Sequence, residues 1–185
     1  MRYPRGKRLP QGRGQLRDVV LISQRPAEAE DRAVPGYWEG DLLVGKRPSA
    51  VATVVERASR YLTLVALPDG YKAEQVRPAL AAAVARLPEQ LRRSLTWDQG
   101  KEMAEHTKFT VDTGVQVYFC DPRSPWQRGC NENTNGLLRQ YLSRGADLGQ
   151  LDQAALDAIA AELNGRPRQT LGFKTPSQAL AEALR

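Results

Sequence analysis

Residues 37–67 read YWEGDLLVGKRPSAVATVVERASRYLTLVAL, and this stretch decides the fold. Three runs rich in Val, Leu, Thr and aromatic residues, Tyr37–Val44, Ala50–Arg57 and Tyr61–Leu67, are separated only by Gly45-Lys46-Arg47-Pro48-Ser49 and Ala58-Ser59-Arg60. That composition suits a pleated, half-buried surface, and links so short turn the chain straight back, so an antiparallel meander is expected.

Downstream the period changes. Val76, Leu80, Val84 and Leu87 recur at intervals of three and four, which marks a helix, with Pro78 either kinking it or lying in its first turn. A short strand, Leu95–Asp98, comes next. A helix from about Lys101 to Thr113 is closed by Gly114, and Val115–Phe119 reads as a further strand. Helices over about Arg128–Arg144 and Leu151–Leu163 follow, the second ended by Asn164-Gly165 ahead of Pro167. Thr175-Pro176-Ser177-Gln178 opens a last helix: threonine caps, proline suits the first turn and glutamine completes a capping box. Hairpins followed by alternating strands and helices make a mixed five-stranded α/β sheet flanked by helices, an order similar to the ribonuclease H-like fold.

Upstream of the meander the chain is different in kind. Residues 1–17 contain Arg2, Arg5, Lys7, Arg8, Arg13 and Arg17 and no acid, so the whole formal net charge of +6 lies there. Pro4, Gly6, Pro10, Gly12 and Gly14 oppose regular structure, and residues 1–35 are expected to form a basic flexible arm and linker ahead of a core over 36–185. Such an arm suits contact with a polyanion or is simply a solvated terminus. With 185 residues, 41% hydrophobic and 26% charged, one well-packed domain is expected, and no apolar run is long enough to span a bilayer. Cys120 and Cys130 with a single histidine support neither a zinc site nor a disulfide framework, and both are read as reduced thiols of a cytoplasmic protein.

Three acids stand out by position. Asp41 lies within the apolar strand Gly40-Asp41-Leu42-Leu43-Val44, where aspartate is disfavoured and costly to bury alone; a plain alternative is an exposed acid on an edge face. Glu39 shares its face at period two, so geometry alone does not choose between them. Asp98 ends a strand that reads as parallel, at the sheet edge where α/β sites form, although a turn aspartate ahead of Gly100 fits the same sequence. Glu132 stands near the start of a helix, where the dipole alone favours a glutamate. Taken together, an acid in mid-strand, one at a strand end and one on a late helix can meet at one sheet edge and hold two magnesium ions about 3.5–4 Å apart. Ions so held activate a water or a 3′-hydroxyl for in-line attack on a phosphodiester, with no protein nucleophile required.

The block Ser124-Pro125-Trp126-Gln127-Arg128-Gly129-Cys130-Asn131-Glu132-Asn133-Thr134-Asn135-Gly136-Leu137-Leu138-Arg139-Gln140-Tyr141 resembles the hallmark segment of the IS thirty family of bacterial insertion-sequence transposases. Tyr37-Trp38-Glu39-Gly40-Asp41, Val55-Glu56-Arg57, Ser59-Arg60-Tyr61, Asp98-Gln99-Gly100-Lys101-Glu102, Asn164-Gly165-Arg166-Pro167-Arg168 and Thr170-Leu171-Gly172-Phe173-Lys174-Thr175-Pro176 resemble that family's integrase-like core in the same order. The spacing agrees too, with 33 residues between Asp98 and Glu132.

The resemblance implies an aspartate-aspartate-glutamate (DDE) transposase that cuts insertion-sequence ends and transfers 3′-hydroxyls to target DNA. It makes Asp41, Asp98 and Glu132 the catalytic metal ligands, with Asp41 preferred over Glu39, two Mg²⁺ as cofactor and Mn²⁺ as a substitute. The implied partners are terminal inverted repeats and target DNA, with a homo-oligomer in the synaptic complex. Arg139 falls at the family's basic position, two helical turns after Glu132, as a phosphate contact or a solvated helix arginine. Trp126 and Arg128 are expected to stack on or clamp DNA, or in the case of Trp126 to pack under the loop. Asn131 and Asn135 are expected to bond DNA or orient the carboxylate, with helix capping open for Asn131. Arg166, Arg168 and Lys174 make an acid-free run suited to phosphates or a solvated turn. His106 is expected to be structural, and Glu102 a helix-surface acid or a secondary member of the site. The family normally carries an N-terminal helix-turn-helix absent from this sequence, so an isolated catalytic core, a truncated copy or a misassigned start is expected. The alternatives in function are a catalytically silent DNA-binding fragment or a nuclease on the same fold.

Overall fold

The computed structural model describes residues 16–46 and 48–185; most of the basic arm lies outside the described residues. The three expected strands form as β1 (Tyr37–Val44), β2 (Ala50–Glu56) and β3 (Leu62–Leu67). They pair antiparallel, with Asp41 opposite Thr53 and Thr53 opposite Leu64. Then come α1 (Ala73–Ala85), β4 (Ser94–Trp97), α2 (His106–Thr113) and β5 (Gln116–Phe119). The chain closes with α3 (Gly129–Leu138), α4 (Gln153–Asn164) and α5 (Pro176–Ala183). The sheet order is β3-β2-β1-β4-β5, with β4 parallel to β1 and β5 parallel to β4. The expected mixed five-stranded sheet is therefore present.

Every residue of β2 is buried, because both faces of the central sheet are covered. Ala50, Ala52 and Val54 join Trp38, Val65, Val76, Leu80 and Phe109 on the side of α1 and α2. Val51 and Val55 join Leu43, Leu64, Leu138, Leu156 and Leu163 on the side of α3 and α4. By the same alternation Glu39, Asp41 and Thr53 face α3. Between β1 and β4 the Trp97 ring lies against Gly40: a Cβ there would stand 2.1 Å from the ring, so only glycine fits.

Both sheet edges are covered, which removes unpaired strand backbone from solvent. Along β3, the Asn164 amide donates to the Leu62 carbonyl and accepts from its N–H, both at 2.8 Å, and Gln153 does the same for Leu64 and Ala66. Along β5, Leu21 bridges to Phe119 and the Phe119 N–H donates to Val20. Residues from Leu16 onward thus belong to the packed domain rather than to a free linker: Ala29 is fully buried, and the Arg57 guanidinium donates to its carbonyl at 3.0 Å.

Three local expectations need correcting. The helix expected up to Arg144 ends at Leu138, since the chain must return to the β1–β2 hairpin, where Lys46 N–H meets the Ala146 carbonyl at 2.7 Å and Leu148 N–H meets Ser49 Oγ at 3.0 Å. The helix expected from Lys101 is a short 3₁₀ turn, Lys101–Met103, before α2 begins at His106. Pro78 lies inside α1; it and Glu74 one turn before are exposed, so the carbonyl deprived of its amide partner faces water. The caps follow expectation, with Gly114 left-handed at φ 73° and the Thr175–Gln178 capping box fully formed. Among the described residues no helix is long and apolar enough to cross a membrane.

Candidate active site

Strand register decides the site. Glu39 on β1 stands opposite Thr96 on β4, and these strands run parallel. Two residues further along each lie Asp41 and Asp98, which therefore reach the same level at the carboxyl-terminal side of neighbouring parallel strands. Their side chains are 26% and 45% exposed. One Asp41 oxygen accepts from the Leu42 N–H at 2.8 Å and the other from the Asn135 amide at 3.1 Å. Asp98 caps its own turn, accepting from the Gly100 N–H at 3.1 Å; the turn role and the site position coexist.

Between the two acids sits Arg128. Its guanidinium lies 3.2 Å from Asp41 and 3.4 Å from Asp98 and donates to the Gly40 carbonyl at 3.2 Å, with its side chain only 9% exposed. Burial works against its charge, yet Asp41 and Asp98 outweigh burial and hold its pKa above the ordinary value. Among the described residues its buried Nε has no hydrogen-bond partner. The sequence reading made Arg128 a DNA clamp; in this structure it serves the two aspartates.

Glu39 is a different kind of acid. At 1% exposure it lies 2.5 Å from Arg57, and its second oxygen accepts from the Asn131 N–H at the start of α3 at 3.0 Å. Both oxygens are engaged and sealed from solvent, and it is this burial that separates it from the partly exposed Asp41. Asn131 belongs to the same cluster: wholly buried, its amide donates to the Glu39 and Thr53 carbonyls and accepts from Thr53 Oγ1, so in this structure its side chain is committed to the fold. Asn135 does orient a carboxylate, that of Asp41.

Glu132 is exposed on the first turn of α3. It shares a helix face with Asn135, three residues on, whose side chain reaches Asp41. Among the described residues no three acidic, histidine or cysteine side chains cluster as a ready ligand set. The expected convergence of Asp41, Asp98 and Glu132 is thus seen only for the two aspartates.

Other expected residues are dispersed around this centre. Trp126 is 72% exposed and does not pack under its loop. Arg139 is the C-terminal cap of α3 rather than part of its interior, and donates to the Leu142 carbonyl at 3.3 Å. Burial first, then Arg144, lowers its pKa, with Asp41 opposing. Arg166 pairs with Glu162 and lies over the Tyr141 ring at 5.6 Å, while Lys174 pairs with Glu182 at 2.5 Å. Arg168 is partly buried, its Nε has no partner among the described residues, and burial, then Arg166, lowers its pKa. His106 is structural, as expected: it is buried, its ring nitrogens face the Met103 and Asp18 carbonyls, and it meets Phe119 edge-on. Glu102 is partly buried rather than on the surface, and accepts from the Trp97 indole at 2.9 Å. Beside Asp98 opens a cleft of about 370 Å³ lined by Gly100, Asp121, Arg123, Ser124 and Arg128. Sequence reasoning missed the Glu39–Arg57 pair and Arg25, which donates to Thr96 Oγ1 at 3.0 Å; arginines far apart in the chain give no local signal of a shared buried partner.

A model of the integrase core domain matches residues 31–125, just over half of the chain. The chain belongs to the integrase core domain family. This integrase core is 52% identical to the transposase for insertion sequence element IS1086 of Cupriavidus metallidurans, an alignment that covers 100% of the chain and 56% of that protein. It is also 52% identical to transposase InsI for insertion sequence element IS30A of Escherichia coli strain K12, over 88% of the chain and 42% of that protein. The chain thus spans about half the length of the curated relatives it matches. The crystal structure of the catalytic core domain of BIV integrase superposes with a TM-score of 0.61 at 22% identity, covering 80% of this chain and 95% of that one. The family resemblance and the ribonuclease H-like α/β fold expected from the sequence are both borne out.

Proposed function

We propose that this integrase core cuts and joins DNA strands as the catalytic part of an insertion-sequence transposase, with Asp41, Asp98 and Glu132 holding two divalent metal ions, Mg²⁺ with Mn²⁺ as a substitute. The observation that carries this reading is the level placement of Asp41 and Asp98 on two parallel strands, where both carboxylates already share one cation. Hard oxygen donors that accept a guanidinium between them also suit a divalent ion, so the residues fit such a cofactor. When bound, the ions supply Lewis-acid stabilisation of the phosphodiester and lower the pKa of an attacking water or hydroxyl.

The chain's own residues do the rest. Asn135 and the Leu42 N–H orient Asp41, and Gly100 orients Asp98, so neither carboxylate needs to reorganise. Glu132 stands exposed on the facing helix, free to complete the set. Trp126 offers an exposed stacking surface beside the cleft, and Arg139, Arg166, Arg168 and Lys174 are the proposed phosphate contacts. The ion pairs of Arg166 and Lys174 are at the surface and exchange readily for DNA. Terminal repeats and target DNA, handled in the cytoplasm by a homo-oligomeric synaptic complex, belong to the same proposal, as does a basic arm that adds sequence-independent affinity.

The test is metal-dependent nicking and joining of labelled duplex DNA bearing a terminal repeat. Activity with Mg²⁺ or Mn²⁺ that Asp98→Asn reduces by about a thousandfold or more supports the reading; activity that survives Asp98→Asn overturns it.

A further inference from the structure

We propose that Arg128 is a resident counter-ion of the acidic pair that divalent metal must displace, so that metal binding and the inward position of Arg128 exclude one another. The inference rests on the proposed role of Asp41 and Asp98 as metal ligands and adds a competitor for their oxygens from within the chain.

Two carboxylates side by side at the end of parallel strands repel each other, and a cation seated between them relieves that repulsion. Arg128 supplies that cation. One guanidinium nitrogen lies 3.2 Å from Asp41 and the other 3.4 Å from Asp98, and the first also donates to the Gly40 carbonyl. These contacts tie the two acids together in register.

The seat is nonetheless an imperfect one for arginine. Among the described residues its buried Nε meets no acceptor, so one donor remains unsatisfied while the residue faces inward. Arg128 also precedes α3 in a 3₁₀ turn, Pro125–Arg128, rather than lying within a regular helix, and it lines the cleft of about 370 Å³ beside Asp98. The guanidinium therefore has both a reason to leave and a space to turn into. A divalent ion on the same oxygens would face a positive charge a few ångströms away, and a unit charge at that range changes affinity by about tenfold even at the dielectric constant of water. Once turned out, the guanidinium stands where an incoming phosphate can take the place of the aspartates.

Mn²⁺ binding to the DNA-free chain tests this, measured by calorimetry for wild type, Arg128→Gln and Asp98→Asn, with thermal melts to establish that each is folded. Arg128→Gln should bind Mn²⁺ about tenfold more tightly than wild type, while Asp98→Asn loses the site. Equal or weaker binding by Arg128→Gln, with Asp98→Asn still deficient, overturns the displacement and leaves the acidic ligands standing. Binding unchanged by Asp98→Asn overturns the ligand assignment itself. Should Arg128→Gln fail to fold, the wild-type chain decides: its Arg128 Nε–H resonance should shift on titration with Mg²⁺, and a resonance that stays fixed through saturation overturns the proposal.

Discussion

Strand β1 carries two carboxylate–arginine clusters two residues apart, and they have opposite characters. Glu39 with Arg57 is sealed: side chains 1% and 5% exposed, both carboxylate oxygens engaged, one by an arginine and one by the first turn of α3. Asp41 with Arg128 and Asp98 is half open, on the same face of the same strand, with a cleft alongside. Identical chemistry thus serves anchoring in one place and stays open to solvent in the next. What separates them is solvent access and whether every polar atom is already matched, neither of which is a property of residue type.

The largest contrast should come from Asp41→Asn, which is expected to lower metal-dependent nicking by about a thousandfold while shifting unfolding free energy by only about 1 kcal/mol, because Arg128 keeps Asp98 and the Gly40 carbonyl. Parallel activity assays and urea denaturation check it, and a variant that lost activity only by unfolding would erase the distinction. The inverse is expected of Glu39→Ala. It leaves Arg57 buried with only the exposed Glu30, 3.7 Å away, as a charge partner and should cost about 3–5 kcal/mol of stability in denaturant unfolding. Asn131→Ala, which removes the Asn131 amide bonds from α3 to β1 and β2, should cost about 1–3 kcal/mol, and the folded fraction should keep wild-type DNA affinity in a binding titration. A loss of DNA affinity without a loss of stability would return Asn131 to the open cluster.

The smallest effect concerns Glu102, at the border between the two environments. Burial chiefly, with Asp98 and Asp41 adding, raises its pKa against the opposing bond from Trp97. The folded chain therefore keeps a proton that the unfolded chain releases, and this group's contribution to stability falls as pH rises from 4.5 through the raised value. Glu102→Gln should be slightly more stable than wild type at pH 7 and equal to it at pH 4, as urea midpoints at the two pH values would report.

Much of this was legible in the sequence because its signals are local. The meander follows from three apolar runs and two short links; the Gly114 cap and the Thr175 capping box follow from residues within four positions of one another. The misread elements share a cause. Helix α3 is cut short by ties to the hairpin around Lys46 and Ser49, about a hundred residues away, and Asn164, in a motif read for its arginines, is spent on sealing the edge of β3.

The sequence by itself determined the strand and helix order, the family, and the identity of the acids worth considering, since period, turn chemistry and motif spacing all act within a short stretch of chain. Only the tertiary structure decided that Glu39 is sealed and Asp41 open, that Asn131 anchors a helix, and that Arg128 lies between two aspartates. Those outcomes depend on parallel register between β1 and β4 and on burial, and both arise from contacts between segments that the order of residues leaves far apart.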